Sequence, residues 1–360
     1  MTKNLNMNVR NVDSNSMHRF SYRWKLSELD KVKKNGLKVF SCFSCGGGSS
    51  MGYKLAGYEV IGNCEIDPVI NEIYVANNHP KYNFQMDIRK FIELSDLPDE
   101  MYQLDILDGS PPCSTFSTAG DREKSWGREK VFREGQAKQV LDDLFFWFAK
   151  AVKKLNPKVF VAENVKGLLL GNAKGYVNKI IKEFDDIGYV VQIFLLNSAT
   201  MGVPQKRERV FFIGHRKDLN FPKLNLTFSE APIRYNEFMD SEYIPMNKNT
   251  LIYDRFKNRT TNDKSLYDTV KRAEKGKISG FTQKYIKGGD VAKTLTAGSR
   301  PCRFDVPGFI SDKDIIHIQT FPEDYNFLKT DACYVCGMSV PPVMMANISA
   351  EIFAQWFKEC

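Results

Sequence analysis

Short apolar runs alternate with helical segments along most of the chain from Leu37 onward. Buried strands are predicted for residues 37–43, 58–64, 104–107, 159–162, 189–196 and 210–213. A glycine-rich turn after the first run opens a short helix that ends near Gly57, and helical periodicity marks residues 136–155. Strands that alternate with helices at this spacing predict a largely parallel, doubly wound α/β sheet.

Two regions depart from this rhythm. Residues 1–36 are polar, and only residues 20–29 within them look able to order. Residues 216–290 are polar with short aromatic stretches, and residues 255–287 contain ten Lys and Arg against three Asp and Glu. This excess of positive charge suits contacts with phosphate groups, although a solvated basic linker has the same composition.

Composition limits the class of protein. A length of 360 residues suffices for a large α/β domain and a smaller second one. The net charge of +8 permits a polyanionic partner without proving one. The chain has no apolar run that could span a bilayer and no charged-then-apolar leader, so we expect a cytoplasmic protein without a membrane partner. Its eight cysteines are expected to be free thiols.

The segment after the first strand has the composition of a ligand-binding loop. Phe43 and Ser44 lead into Cys45 and three glycines, which let the backbone approach a ligand, and the next helix begins there. Glu65, at the end of the second strand, suits the hydroxyls of an unphosphorylated ribose, and Asp87 suits an adenine amino group. A solvated strand end and a helix cap are the alternatives for these carboxylates. A ligand with an adenine, a free ribose and an anionic tail matches S-adenosylmethionine.

A single thiol follows the third buried strand, in the run 108–113. Two prolines fix the backbone before Cys113, which would lie at the carboxyl-terminal edge of the sheet, where ligands bind in open α/β folds. The alternative is a buried structural cysteine. Glu163 ends a later strand and is expected at the same edge. Alternate residues of a further run would share one face of an extended strand, unless they form a solvated charged edge: Gln205, Arg207 and Arg209.

These blocks stand in the order found in the cytosine-5 DNA methyltransferases, which the chain resembles from Leu37 to Phe357. The matching blocks are the FxxGGG loop, Glu65-Ile66-Asp67, Asp87, Pro111-Pro112-Cys113, Glu163-Asn164-Val165, Gly202-Val203-Pro204-Gln205 with Arg207 and Arg209, Ile318-Gln319-Thr320-Phe321-Pro322, and Gly337-Met338-Ser339-Val340-Pro341. The resemblance implies a Rossmann-like S-adenosylmethionine-dependent methyltransferase fold with a second, smaller target-recognition domain. It also implies a flipped-out cytosine in double-stranded DNA as the methyl acceptor.

The resemblance also implies a domain order. Residues 1–36 would be an N-terminal extension, 37–215 the catalytic and cofactor-binding domain, 216–290 the target-recognition region, and 291–360 a C-terminal segment that partly returns to the catalytic domain. A prokaryotic or phage protein is expected, associated with the nucleoid through DNA. It would act as a monomer on DNA, and a cognate restriction endonuclease would act separately.

The resemblance further implies the roles of the site residues. The Cys113 thiolate would attack carbon 6 of cytosine, and Glu163 would contact the ring nitrogen and the exocyclic amine. Arg207 would hold the carbonyl oxygen of the base and help to fix Cys113 and Glu163, with Arg209 in the same catalytic set. No metal is expected. The residues expected to bind the cofactor are Phe43, Ser44, Cys45, Gly46, Gly48, Glu65, Ile66, Asp87, Ile88, Pro111, Leu144, Ser339 and Val340.

Several positions depart from the family pattern. Ser41 stands where an aspartate is usual, Cys45 where a glycine is usual, and Ser114 where a glutamine is common. His317 replaces an arginine and Met338 an asparagine. None of these changes removes a group that makes or breaks a bond.

Other classes of function remain open from the sequence. The CxxC pairs Cys42/Cys45 and Cys333/Cys336 could share a metal, although they are far apart in sequence. An amino-group methyltransferase needs no thiol at Cys113. An RNA methyltransferase of the same lineage shares all the motifs, and a catalytically silent DNA-binding paralogue would keep the fold but not the intact catalytic residues.

Overall fold

The computed structural model describes residues 18–112, 143–170, 174–273 and 283–358. In chain order the strands are β1 (Lys38–Cys42), β2 (Glu59–Cys64), β3 (Tyr82–Phe84), β4 (Ile106–Gly109), β5 (Val159–Val165), β6 (Tyr189–Asn197), β7 (Gln205–Lys206), β8 (Glu208–Arg216), β9 (Tyr243–Pro245), β10 (Tyr285–Ile286), β11 (Ala292–Lys293), β12 (Cys302–Arg303) and β13 (Gly308–Ile310). The α-helices are α1 (Gly48–Leu55), α2 (Pro68–Asn78), α3 (Ile88–Phe91), α4 (Leu144–Leu155), α5 (Lys174–Asp186), α6 (Leu251–Lys257), α7 (Leu266–Ala273), α8 (Asp312–Gln319), α9 (Ala332–Met338) and α10 (Pro342–Ile352).

Seven of the strands form the central sheet, in the order β3-β2-β1-β4-β5-β8-β6. The pairs from β3 to β5 are parallel, and β8 runs antiparallel to both β5 and β6. The predicted α/β class with a largely parallel sheet is therefore confirmed. No helix in the described part of the chain is long and apolar enough to cross a bilayer.

Both faces of the sheet are covered, which explains the nearly continuous apolar runs of its strands. Val39 and Ile106 belong to one apolar core, on the side of α1 and α10. Phe40 and Leu107, the next residues along the same strands, belong to a second core that includes α4 and part of α5. The sheet thus holds the carboxyl ends of β1, β2, β4 and β5 rigidly along one edge.

A second, smaller sheet has the order β10-β12-β13-β9 and an apolar cluster of its own. This smaller sheet extends beyond the predicted target-recognition region, residues 216–290, because β12 and β13 lie after residue 290. Residues 217–233, inside the predicted region, instead pack on the large domain, where the Gln192 side chain exchanges two hydrogen bonds with the Leu224 backbone. The strands β11 and β7 pair as a separate two-stranded sheet beside the sequence run that carries Arg207.

Both chain ends return to the large domain. Trp24, within the expected residues 20–29, is buried and donates its indole N–H to the Thr320 carbonyl at 2.9 Å. The C-terminal helix α10 packs closely on α1, as expected, since a Cβ on Gly52 would lie 2.5 Å from Met345. The N-terminal residues 1–17 lie outside the described residues.

Candidate active site

A cavity of about 390 Å³ lies at the carboxyl ends of β1, β2, β4 and β5. Its volume is within the range typical of small-molecule and cofactor sites. The predicted site residues that line it are Phe43, Cys45, Glu65, Ile66, Asp87, Ile88, Pro111, Leu144, Glu163, Arg207 and Arg209. The fold therefore brings most of the two predicted residue sets, which are far apart in sequence, into one cavity.

The other predicted cofactor residues lie outside this lining, and they are Ser44, Gly46, Gly48, Ser339 and Val340. They lie where the glycine loop, residues 43–48, packs against the segment that joins α9 to α10. A Cβ on Gly46 would lie 2.2 Å from Val335 Cγ1, and one on Gly48 would lie 2.1 Å from the Val340 carbonyl oxygen. These glycines are required by close packing beneath the cavity.

The glycine loop turns sharply before α1. Gly47 has a φ of 79°, and Phe43 and Cys45 have φ values of 52° and 47°, so three of its residues are left-handed. A residue with a Cβ is strained in this conformation, which explains why glycine is usual where this chain has Cys45.

Glu65 connects the end of β2 to the glycine loop through a hydrogen bond. Its Oε2 accepts the Cys45 N–H at 2.9 Å, and its Oε1 accepts the Asp67 N–H at 3.0 Å. Burial raises the pKa of Glu65, and these backbone donors oppose that rise. Each carboxylate oxygen keeps a second lone pair, so the residue can also accept the two hydroxyls of a ribose.

Asp87 caps helix α3. Its Oδ1 accepts both the backbone N–H and the side-chain Nε–H of Arg89, at 2.9 and 3.0 Å. The helix-cap interpretation of Asp87 is therefore correct, and the residue also lines the cavity. Because both bonds use Oδ1, Oδ2 can still accept a ligand N–H.

Glu163 and Arg209 form an ion pair on the opposite wall, with Glu163 Oε1 2.9 Å from Arg209 Nε. Their side chains are 13% and 14% exposed, so water screens the pair only weakly. Burial lowers the pKa of Arg209, while the charge of Glu163 opposes that effect. The Glu163 side chain is thus held in a position where it faces the cavity.

Arg207 is positioned differently from the sequence expectation. Its guanidinium donates to the carbonyls of Leu295 at 3.0 Å and Gly337 at 2.9 Å, and the side chain is 1% exposed. In the described residues, the ion pair that fixes Glu163 comes from Arg209, while the Nε of Arg207 is buried without a partner. Burial and the neighbouring charge of Arg209 lower the pKa of Arg207.

The buried face of this run also holds Gln205. Its amide accepts the Leu295 N–H at 2.8 Å and donates to Gln319 at 2.6 Å. Gln205 and Arg207 are fully buried, whereas Lys206 between them is exposed. The predicted alternation is therefore present, and its inner face organises the junction with the smaller sheet.

The strand end that leads toward the thiol is also fixed. The Asn164 side chain donates to the Pro111 carbonyl at 3.0 Å and accepts the Val165 N–H at 2.9 Å. Pro111 and Pro112 line the cavity. Cys113 and Ser114 lie outside the described residues.

Further cavity residues were not assigned as site residues from the sequence. They are Cys64, Asp67, Ile70, Met86, Ser110, Pro112, Asn164, Val165, Tyr334, Gly337 and Met338. Most are direct neighbours of motif residues, and that adjacency could have identified them. Tyr334 and Ile70 carry no such signal, because only the packing of α9 and α2 brings them to the cavity.

The remaining departures from the family pattern have local partners. Ser41 donates its hydroxyl to Asp108 on the neighbouring strand, and the Nε2 of His317 lies 2.9 Å from Glu323 Oε1. Met338 lines the cavity. Burial chiefly lowers the pKa of His317.

The CxxC pairs do not form a metal centre in the described structure. Cys42, Cys333 and Cys336 are buried free thiols. Within the described ranges, no group of three or more His, Cys, Asp and Glu residues has the arrangement of metal ligands.

The chemistry of the cavity fits S-adenosylmethionine. Glu65 and Asp87 provide acceptors for hydroxyl and amino groups, Phe43 provides an aromatic surface, and the glycine loop leaves room for a ligand beside α1. The acidic side chains also suit a cofactor that carries a positive sulfonium.

Comparison with known proteins agrees with this chemistry. A family described as C-5 cytosine-specific DNA methylase matches residues 37–354. Type II methyltransferase M.FnuDI from Fusobacterium nucleatum is 34% identical over 346 residues, which cover 88% of this chain and 93% of the relative. Type II methyltransferase M.HindV from Haemophilus influenzae is 30% identical over 329 residues, which cover 90% and 98%.

Solved structures share the fold. A DNMT2 mutant from Spodoptera frugiperda superposes with a TM-score of 0.62 at 16% identity, covering 88% of this chain and 100% of the other. The Entamoeba histolytica methyltransferase EhMeth gives a TM-score of 0.59 at 15% identity, covering 89% and 99%. The chain belongs to the C-5 cytosine-specific DNA methylases, which makes it an S-adenosylmethionine-dependent enzyme that methylates carbon 5 of cytosine in DNA.

Proposed function

We propose that this methyltransferase acts on a cytosine flipped out of a specific double-stranded DNA sequence, through a covalent bond to Cys113. The observation that carries the proposal is the Glu163–Arg209 ion pair, which lines the same cavity as Pro111 and Pro112. The base must leave the duplex because its reacting carbon is inaccessible within the stack.

The proposed reaction begins at Cys113. Carbon 5 of cytosine is a poor nucleophile because the ring is aromatic. A thiolate that adds to carbon 6 converts the ring to an enamine, whose carbon 5 can then accept a methyl group. S-adenosylmethionine supplies that methyl as an electrophile on its sulfonium. Loss of the carbon 5 proton and of the thiolate then restores the aromatic ring.

Glu163 is proposed to bind the ring nitrogen and exocyclic amine of the cytosine. Negative charge develops on the ring as the thiolate attacks, and a proton held between Glu163 and the ring nitrogen offsets that charge. Arg209 keeps the carboxylate in place through its 2.9 Å contact. Arg207 is proposed to hold the carbonyl oxygen of the base, since its terminal nitrogens donate to two backbone carbonyls while its buried Nε has no partner among the described residues.

A fluorinated substrate tests the covalent step. DNA with 5-fluorocytosine at the target should form a stable adduct, because fluorine cannot leave as the proton does. Cys113→Ala should form no adduct while it still binds DNA, and an RNA duplex of the same sequence is the comparison substrate. Methyl transfer by Cys113→Ala at a substantial fraction of the native rate contradicts the assignment.

Target recognition is assigned to residues 216–290 together with the strands that complete the smaller sheet. The support is the basic composition of residues 255–287, where positive charge suits the DNA backbone. An enzyme of this kind would act in the cytoplasm as a monomer on DNA, with a cognate restriction endonuclease acting separately.

Exchange of the smaller unit tests this assignment. The exchanged segment should span residues 234–310, because residues 217–233 pack on the large domain. Base-modification sequencing should find a changed target sequence with cytosine still methylated. An active chimera that keeps the original target shows that specificity lies elsewhere.

A further inference from the structure

Asp108 is a buried carboxyl group beneath the floor of the cavity. It lies in β4, two residues before Ser110, and its partner across the sheet is Ser41 in β1, two residues before Phe43. Ser110 and Phe43 both line the cavity, whereas Asp108 is 1% exposed. The carboxyl group therefore sits between two segments of the cavity wall, without reaching water.

The partners of Asp108 are neutral. Ser41 donates its hydroxyl to Oδ2 at 2.8 Å, and Tyr53 in α1 donates its hydroxyl to Oδ1 at 3.3 Å. In the described part of the chain, no Lys, Arg or His forms an ion pair with it. A buried carboxylate without a counter-charge is unfavourable, and it either takes up a proton or gains a cation.

The other carboxylates around the cavity are better compensated. Glu163 pairs with Arg209 and Asp87 with Arg89. Glu65 accepts two backbone N–H groups, and Asp67 accepts those of Val69 and Ile70 at the start of α2. Among these carboxyl groups, Asp108 is the one that is held in the described structure by neutral side-chain hydroxyls alone.

We propose that Asp108 is the buried counter-charge that selects the cationic methyl donor over its neutral demethylated product. S-adenosylmethionine carries a sulfonium, and S-adenosylhomocysteine has an uncharged thioether at the same position. The two ligands otherwise share the adenosine, the carboxylate and the amino group. A negative charge buried between two segments of the cavity wall would therefore favour the cationic donor and assist release of the neutral product.

The same arrangement links donor binding to pH. Burial raises the pKa of Asp108 to about 7, with a smaller contribution from the charge of Glu163 on β5. The other titratable groups that interact with it are Cys42 on β1, Tyr53 on α1 and Tyr74 on α2, and the pKa of each is raised. These three groups stay neutral near pH 7, so Asp108 is the group of this cluster that changes charge there.

Binding of a cation favours the ionised carboxylate. The affinity for S-adenosylmethionine should therefore rise as the pH increases through about 7, because protonated Asp108 offers no counter-charge. The affinity for S-adenosylhomocysteine should lack this component, since it has no charge at the sulfur.

Calorimetric titration of the full-length protein with both ligands tests the proposal. For the native enzyme, the ratio of the two dissociation constants should change in favour of S-adenosylmethionine between about pH 6 and about pH 8. In Asp108→Asn the ratio should lose this pH dependence, and the preference for the donor at the higher pH should fall by about tenfold. Binding of S-adenosylhomocysteine reports that the variant is folded.

Two matched variants complete the test. Asp105→Asn changes a buried carboxylate at the other end of β4, where it accepts the Lys38 N–H and pairs with Lys158, and it should leave the ratio unchanged. The double variant Ser41→Asp with Asp108→Ser places the charge on β1. It should restore the preference for S-adenosylmethionine at the higher pH. A ratio that is independent of pH in the native enzyme and equal in Asp108→Asn overturns the proposal, whether or not the variant is less stable.

Discussion

The two walls of the cavity are built in different ways. On the cofactor wall, Glu65 and Asp87 are held by backbone N–H groups and by Arg89, which lie between 2 and 20 residues away in sequence. On the base wall, Arg207 bonds carbonyls 88 and 130 residues away, and Glu163 depends on Arg209 from another strand. The cofactor wall is therefore assembled locally, whereas the base wall exists only when the whole chain has folded.

This difference predicts different consequences of mutation. A change on the base wall should affect the chemical step or the stability of the whole protein. A change on the cofactor wall should affect mainly one ligand. The following variants test that division, in order of expected effect.

Glu163→Gln should reduce the single-turnover methylation rate by two to three orders of magnitude, because loss of such an electrostatic contact costs about 3 kcal/mol in the transition state. DNA affinity should fall much less. Glu208→Gln is a suitable control, since Glu208 forms only a half-exposed pair with Lys166. Equal losses in rate and in DNA affinity would place Glu163 in ground-state binding.

Arg207→Met should lower the free energy of unfolding by about 3 kcal/mol, because two buried carbonyls lose a charged donor. Arg209→Met should instead reduce the methylation rate more than the stability, since it releases Glu163 within the cavity. Denaturant unfolding and single-turnover kinetics on both variants measure this split. The reverse pattern shows that the two arginines have been assigned to the wrong tasks.

Glu65→Gln should weaken S-adenosylmethionine binding by about tenfold, because a charged acceptor of two hydroxyl bonds becomes a neutral one. Its DNA affinity and its rate at saturating cofactor should stay close to native. Calorimetry with S-adenosylmethionine and with adenosine gives the comparison. An unchanged dissociation constant for both ligands removes Glu65 from the ribose site.

The smallest effect is expected at the strained loop. Cys45→Gly should be more stable than Cys45→Ala by about 1 kcal/mol, because alanine keeps the Cβ that a left-handed residue disfavours. Thermal unfolding of the two variants measures the difference, and both lack the thiol. If alanine is the more stable of the two, the positive φ at this position stores no strain.

The same contrast explains what could be predicted from the sequence. Glu65 and Glu163 follow apolar runs directly, so the direction of a parallel strand was enough to place them at one edge. The separate roles of Arg207 and Arg209 could not be predicted. Alternation along a strand indicates that two side chains share a face, but it does not indicate which partners each side chain contacts. Those partners, Leu295 and Gly337, are set by the return of the C-terminal segment.

The smaller sheet was harder to predict for a related reason. Its strands are two or three residues long, and β12 and β13 come from beyond residue 290. Segments this short carry almost no periodicity, so composition alone indicated the region, and two of the strands lie beyond its predicted end. At the other end, residues 217–233 are polar in character but pack on the large domain.

The antiparallel direction of β8 has a consequence for how such enzymes can diverge. The strand enters the sheet at the cavity, with Arg209 opposite Val165, and leaves it at the far edge with Arg216. A one-residue shift of register along residues 205–209 would exchange the buried and exposed sets and turn Lys206 and Glu208 inward. Insertions after Arg216 leave this register unchanged. Length variation among relatives should therefore be concentrated after β8, where a new recognition unit can be acquired while the catalytic edge stays intact.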